Sequence, residues 1–164
     1  MKAERIEPGP EQESVWDYPR PPRLEESARQ IQVVVADVVI AQSRRTLRVL
    51  ETSQPPAFYI PPDDVQMELL RPSPTRTECE WKGTAHYFDL LVAGRETRDA
   101  AWCYPSPTPP FAALAGYLAF YPQRVDACFV DGERVQLQEG SFYGGWITNE
   151  IVGPFKGGPG TMGW

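Results

Sequence analysis

Three stretches of this chain share one layout: an apolar run rich in β-branched residues, a two-residue turn, and a second extended run. They are IQVVVADVVIA (31–41), FDLLVAGRETRDAAW (88–102) and ACFVDGERVQL (127–137), with turns at Ala36-Asp37, Ala93-Gly94 and Asp131-Gly132. Asp-Gly between two such runs is the strongest short-range hairpin signal, because both turn positions want positive φ. Three hairpins commit most of the chain to antiparallel sheet. The similarity is too short to count as a sequence repeat.

Between the hairpins, 46–52 and 76–82 also read as extended. In the second, strict alternation puts Cys79 and Trp81 on the inward face, with Glu78, Glu80 and Lys82 opposite. Two short amphipathic helices are expected to lie as lids on the sheet. One starts after Pro61-Pro62, with Asp63 and Asp64 in its first turn, and runs through Val65, Met67, Leu69 and Leu70 to Pro72. The other starts at Pro109-Pro110 and carries Phe111, Leu114, Leu118 and Tyr121 before Pro122.

The chain divides into an extended arm (1–30), a β-rich core domain (31–137) and a wrapped tail (138–164). Up to Glu26 the arm holds five prolines and two large aromatics, Trp16 and Tyr18, which should dock on the protein's own surface. The tail holds eight glycines yet keeps Phe142, Tyr143, Trp146, Ile147, Ile151, Phe155 and Trp164, so it reads as an extended segment that covers a sheet edge or crosses onto a partner copy. The expected fold is therefore mainly β: a single compact domain of antiparallel hairpins, forming a small barrel or bent sheet, with two short helices and a Gly/Pro-rich C-terminal tail. At 164 residues one core suffices without metal or disulfide staples.

Composition narrows the setting. An odd number of cysteines, Cys79, Cys103 and Cys128, far apart in sequence, argues against a secreted disulfide framework and for a reducing cytoplasm. The charged start (1–9) lacks the apolar segment of a signal peptide, and no run approaches the ~20 residues of a membrane span. A net charge of −6 disfavours binding along a nucleic-acid backbone, and Arg44, Arg45 and Arg48 read as a solvated face. A monomer or homodimer is expected, with no membrane partner.

Three constellations carry chemistry. In ETSQPPAFYIPPDD (51–64), paired prolines stiffen a loop that would hold Glu51 and Tyr59 beside the sheet. In CEWKGTAHY (79–87), a hairpin with Lys82-Gly83 at or near its turn, a thiol, a lysine, the only histidine and Tyr87 fall within nine residues. In AAWCYPSPTPP (100–110), Trp102 and Tyr104 point to one face as a stacking platform for a planar ligand. Each segment also admits a plain structural reading, as strand terminator, buried thiol or core packing.

Familiar signatures are missing: no C-x-x-C for zinc, no G-x-G-x-x-G after a strand, no P-loop, no G-x-S-x-G elbow. A metal site assembled from distant residues is left open, but no metal ligand is assigned and the cofactor is unknown.

The combination of ETSQPPAFYIPPDDV, CEWKGTAHYFDLLV, AAWCYPSP and FYPQRVDACFVDGE resembles the bacterial domain-of-unknown-function family numbered 427, over about 33–135. The arm and the GGWITNEIVGPFKG tail look like its long actinobacterial subgroup. The resemblance implies a compact β-rich domain with no established activity, and recurring positions at Glu51, Thr52, Tyr59, Cys79, Lys82, Gly83, Tyr87, Trp102, Tyr104 and Tyr121. Some members carry a nucleotidyltransferase label. That chemistry needs a Gly-Ser followed by carboxylates at D-x-D spacing to hold two metal ions, and none follows Gly140-Ser141.

The leading expectation is thus a small-molecule pocket for an anionic or planar ligand, with or without catalysis. Its catalytic candidates are Glu51, Lys82 and Cys79, and its ligand-binding candidates are Tyr59, Tyr87, Trp102, Tyr104 and Tyr121. The alternatives are an interaction module acting through arm and tail, and metal-dependent nucleotidyl transfer.

Overall fold

The structure, a computed structural model, describes residues 4–140 and 142–164. The serine of Gly140-Ser141 and the first three residues of the arm lie outside the described residues.

In chain order, β1 (Glu13–Ser14) and a single 3₁₀ turn (Val15–Asp17) precede β2 (Arg23–Ser27), β3 (Ile31–Val35), β4 (Val38–Ser43), β5 (Thr46–Leu50) and β6 (Ala57–Tyr59). The long strands follow: β7 (Leu70–Cys79), β8 (Gly83–Val92) and β9 (Arg95–Cys103). Short pieces of sheet follow, β10 (Ala119–Phe120), β11 (Ala127–Val130), and, beyond the next turn, β12 (Glu133–Arg134), before β13 (Gln136–Leu137), β14 (Trp146–Ile147) and β15 (Ile151–Val152). They assemble as β10-β9-β8-β7, β12-β11-β3-β4, β2-β5-β6 and two small ribbons, β13-β14 and β1-β15. The molecule is mainly β and antiparallel; of the two expected forms, the sheets do not close into a barrel.

The three expected turns form as read. Ala36/Asp37, Ala93/Gly94 and Asp131/Gly132 all have positive φ, at 50/62°, 49/77° and 48/83°, the paired left-handed geometry that matches the twist of a two-residue hairpin. The prolines at 72 and 74 fall in β7, which is the edge strand of its sheet, beside a register break between Pro72 and Arg76. An edge strand can spare the missing N–H donors.

Short helical segments form where both helices are expected, but as 3₁₀ turns that stop earlier than the apolar spacing predicts. After Pro62–Asp64 the backbone is drawn onto β4: Val65 bridges Ala41, the Gln66 N–H donates to Ile40 O at 2.9 Å, and its side-chain amide donates to Val39 O. Pairing with a sheet edge wins over helix propensity, and only Met67–Leu69 turns again before β7. The second segment, Pro109–Leu114, kinks at Phe111 and ends before Gly116, whose φ of 76° stops a helix. Leu118 then exchanges two hydrogen bonds with Ile60, and the chain runs extended through β10 to Tyr121.

Two apolar clusters result, and one bulge in β8 decides which strand face serves each. Ala85 and Tyr87 are buried in an aromatic cluster with Tyr59, Trp102, Tyr104 and Tyr121. Past a register break between Phe88 and Leu90 the parity changes, and Leu90 and Val92 are buried in the aliphatic core with Ile31, Val33 and Ile40. The break is pinned by Asp89, which accepts from the Asp99 N–H at 2.9 Å, while Asp99 accepts from Ser73 and Thr75 at 2.6 and 2.8 Å. A third, smaller cluster joins arm and tail: Val15, Tyr18 and Ile151 pack on Leu50, β1 pairs with β15, and the Trp16 indole donates to Pro154 O.

All three cysteines are free. Among the described residues no helix is long and apolar enough to cross a membrane. Arg45 is paired with Asp64, and Arg48 with Glu13 and Glu25, so two of the three clustered arginines are neutralised within the fold.

Candidate functional site

All eight candidate residues border one cavity of about 460 Å³, within the size range of small-molecule sites. Four separated stretches of chain supply these residues. Glu51 and Tyr59 come from the proline loop and β6, Cys79, Lys82 and Tyr87 from the β7–β8 hairpin, and Trp102, Tyr104 and Tyr121 from the ends of β9 and β10. His86 does not line it, because it lies between the inward-facing Ala85 and Tyr87.

Lys82 corrects the alternation argument. It lines the same cavity as Cys79 and is only 8% exposed. Alternation holds only while the backbone is extended, and β7 stops at Cys79; residues 80–82 are the turn. The proline loop after β9 fixes that turn. The Thr108 N–H donates to Lys82 O at 3.0 Å and its hydroxyl donates to Trp81 O at 2.6 Å. The ammonium group then lies 5.7 Å from the centre of the Tyr104 ring.

Glu51 is held by short-range and long-range contacts together. Its carboxylate accepts from the Gln54 amide at 3.1 Å and pairs with Arg20 at 3.5 Å. Beyond it, Thr52 donates its hydroxyl to Tyr18 O at 2.6 Å, Ser53 N–H donates to Val15 O, and the Lys156 N–H donates to Ser53 O at 2.8 Å. The arm clamps one side of the proline loop and the tail clamps the other.

The aromatic wall is cross-linked by its polar edges. The Trp102 indole N–H donates to the Tyr59 hydroxyl at 3.1 Å, and the Tyr104 ring centre lies 6.3 Å from that of Tyr59. The Tyr87 hydroxyl lies 2.9 Å from that of Thr77 and 3.3 Å from that of Tyr121. Trp102 and Tyr121 pack with ring centres 4.5 Å apart. Burial pushes the Tyr59, Tyr104 and Tyr121 phenols above the usual tyrosine range, so all three are neutral donors at ordinary pH.

Charge is distributed unevenly. Burial works against the Lys82 ammonium, but Tyr59, Cys79 and Glu51 around it outweigh that, so Lys82 titrates above the usual lysine range and stays charged. Among the described residues no carboxylate forms an ion pair with it. The other acids on the lining, Glu78 and Glu80, are exposed at its edge. A protonated lysine is no nucleophile. It is suited to meeting an anion.

The tail supplies what the sequence reading missed. Phe142, Tyr143 and Lys156 line the cavity, Gln123 ties the tail down by donating to Gln138 O and Tyr143 O, and Gly145 N–H donates to the buried Gln138 side chain. Gly144 lies flat on the wall: a Cβ there would come within 2.6 Å of Trp102. The pair Gly144-Gly145 between aromatics was the available signal.

The donor set for two-metal nucleotidyl transfer does not fit. Among the described residues no three His, Cys, Asp or Glu side chains converge. Asp64 is committed to Arg45, at 2.9 and 3.0 Å, and to Ser43, and its neighbour Asp63 does not share those contacts.

No curated protein matches the chain. A family model named NTP_transf_9 matches residues 23–131, about two thirds of the chain, including every candidate residue and all but the tail of the cavity lining. The chain therefore belongs to the family described as a domain of unknown function (DUF427).

Proposed function

We propose that the cavity binds a small anionic ligand with a planar part. The observation that carries this reading is Lys82: a charged ammonium, 8% exposed, lining a cavity with no carboxylate paired to it among the described residues. Its surroundings keep it charged, and no carboxylate is ion-paired with it among the described residues, so its donors are open to an anionic ligand. In this reading Lys82 neutralises the ligand, Glu51 accepts a hydrogen bond from it or serves as a base, Cys79 supplies a thiol, and Tyr59, Tyr87, Trp102, Tyr104 and Tyr121 form its walls. The nucleotidyltransferase name gains no support from the carboxylates present.

The test is thermal stabilisation by sodium acetate and by inorganic phosphate, each against chloride at matched ionic strength, in the wild type and in Lys82→Met. A specific anion at 100 times its Kd stabilises the fold by about 2.7 kcal/mol. The reading expects stabilisation by at least one of the two that disappears in the variant. Equal responses of the two proteins would sink it.

A further inference from the structure

The polar groups at the deep end of the cavity select among anions. A phenol oxygen has two lone pairs and one proton. The Tyr59 oxygen accepts from the Trp102 indole N–H at 3.1 Å, a group that can only donate. Because that bond uses only a lone pair, the Tyr59 O–H is left to donate, on a side chain that is 2% exposed and lines the cavity. Lys82 lines the same cavity, its ammonium, with three donors, 5.7 Å from the centre of the Tyr104 ring that packs beside Tyr59. Two buried donors on adjacent groups match the two oxygens of one planar carboxylate.

The surroundings fix the rest of the molecule. Trp102, Tyr104 and Tyr121 wall the space beside these donors, and Tyr143 flanks it from the tail. The wall is aromatic, so a ring is the natural companion of the acid group. The lining holds two lysines, 82 and 156, against three carboxylates, Glu51, Glu78 and Glu80. Lys156 is also partly engaged, donating to Trp164 O at 3.3 Å and lying over the Tyr143 ring. A single carboxylate is answered locally by Lys82, whereas a polyphosphate chain would have to run past the acidic edge.

We infer that the Lys82 ammonium and the Tyr59 hydroxyl form a hole for one planar carboxylate, carried by an aromatic acid rather than by a nucleotide. This rests on the reading of the cavity as an anion site and narrows it to a ligand class.

The experiment is calorimetric titration of the full chain with indole-3-acetate, its neutral isostere indole-3-acetamide, and ATP. The acid is expected to bind about tenfold or more tightly than the amide, the margin of a charge-assisted hydrogen bond. ATP is expected to bind no better than the amide. Lys82→Met removes the preference for acid over amide; Tyr59→Phe weakens the acid severalfold. The acid-to-amide ratio is read on the wild type, so it stands even if a variant fails to fold. Equal binding of acid and amide, or tighter binding of ATP than of the acid, overturns the inference. So does absence of all three when acetate or phosphate still stabilises the protein through Lys82, and in that case the broader reading survives.

Discussion

Replacing Gly144 with alanine tests whether the tail lies against the cavity wall. The added methyl would sit 2.6 and 2.9 Å from two ring carbons of Trp102 and 3.0 Å from one of Tyr121. Neither ring can swing aside cheaply. Trp102 is 7% exposed and its indole is bonded to Tyr59, while Tyr121 is 3% exposed and has the Arg124 guanidinium 4.1 Å over its face. Gly144 does not have positive φ, so its backbone accepts alanine and the cost is steric alone. Overpacking of this kind costs about 1–3 kcal/mol, and for a chain of this length each kcal/mol moves Tm by roughly 2–4 °C. Urea and thermal denaturation followed by tryptophan fluorescence would read a loss of about 5 °C. Gly163→Ala is the control, since a Cβ there meets nothing within 4 Å and the backbone is again unstrained; it should stay within about 0.5 kcal/mol of wild type. If Gly144→Ala were as stable as Gly163→Ala, the tail would not be where it is described.

Two further outcomes follow from the same packing. Burial raises the phenols of Tyr18, Tyr59, Tyr104 and Tyr121, so above pH ~10 the unfolded chain loses these protons first and stability falls as pH rises, by up to about 1.4 kcal/mol per tyrosine per pH unit. Against a total of about 5–15 kcal/mol, alkaline unfolding should be cooperative with phenolate absorbance at 295 nm; four tyrosines ionising near pH 10 in a still folded protein would contradict this. Truncation after Leu137 removes Tyr143 and Gly144 from the cavity and the Lys156 and Ile151 contacts from the Glu51 loop and Leu50, so anion stabilisation and melting temperature should fall together. Loss of an oligomer or partner with the cavity intact would instead favour the interaction-module reading.

What the sequence made legible was governed by short-range rules. Asp131-Gly132 and its two counterparts need left-handed backbone whatever surrounds them, so the hairpins could be read directly. Trp102 and Tyr104 share a face because β9 stays extended to its end, and Cys79 with Tyr87 meets them because a hairpin puts both on one side. Where the backbone leaves the strand, the rule fails: Lys82 turns into the cavity because residues 80–82 are a turn braced by Thr108. The helices are shorter than their spacing suggests for a different reason. Val65 and Gln66 are claimed by β4, and Leu118 by Ile60, contacts that no local pattern displays. The arm and tail were legible as docking segments, but not that both would grip the Glu51 loop, because that depends on residues over a hundred positions apart, such as Lys156 and Ser53.

The central claim is that an anion entering this cavity meets Lys82 beside the Trp102 wall. The chain's five tryptophans make this readable in a ¹⁵N–¹H spectrum of their indole N–H groups. Trp102 and Trp81 line the cavity, whereas Trp146 donates to Phe120 O, Trp16 donates to Pro154 O, and Trp164 packs on Trp16. On titration with unlabelled indole-3-acetate, the Trp102 signal should move in the wild type at concentrations that leave it in place in Lys82→Met, with Trp16, Trp146 and Trp164 unchanged throughout. A Trp102 signal that never moves while the acid binds, or one that moves equally without Lys82, would contradict the claim.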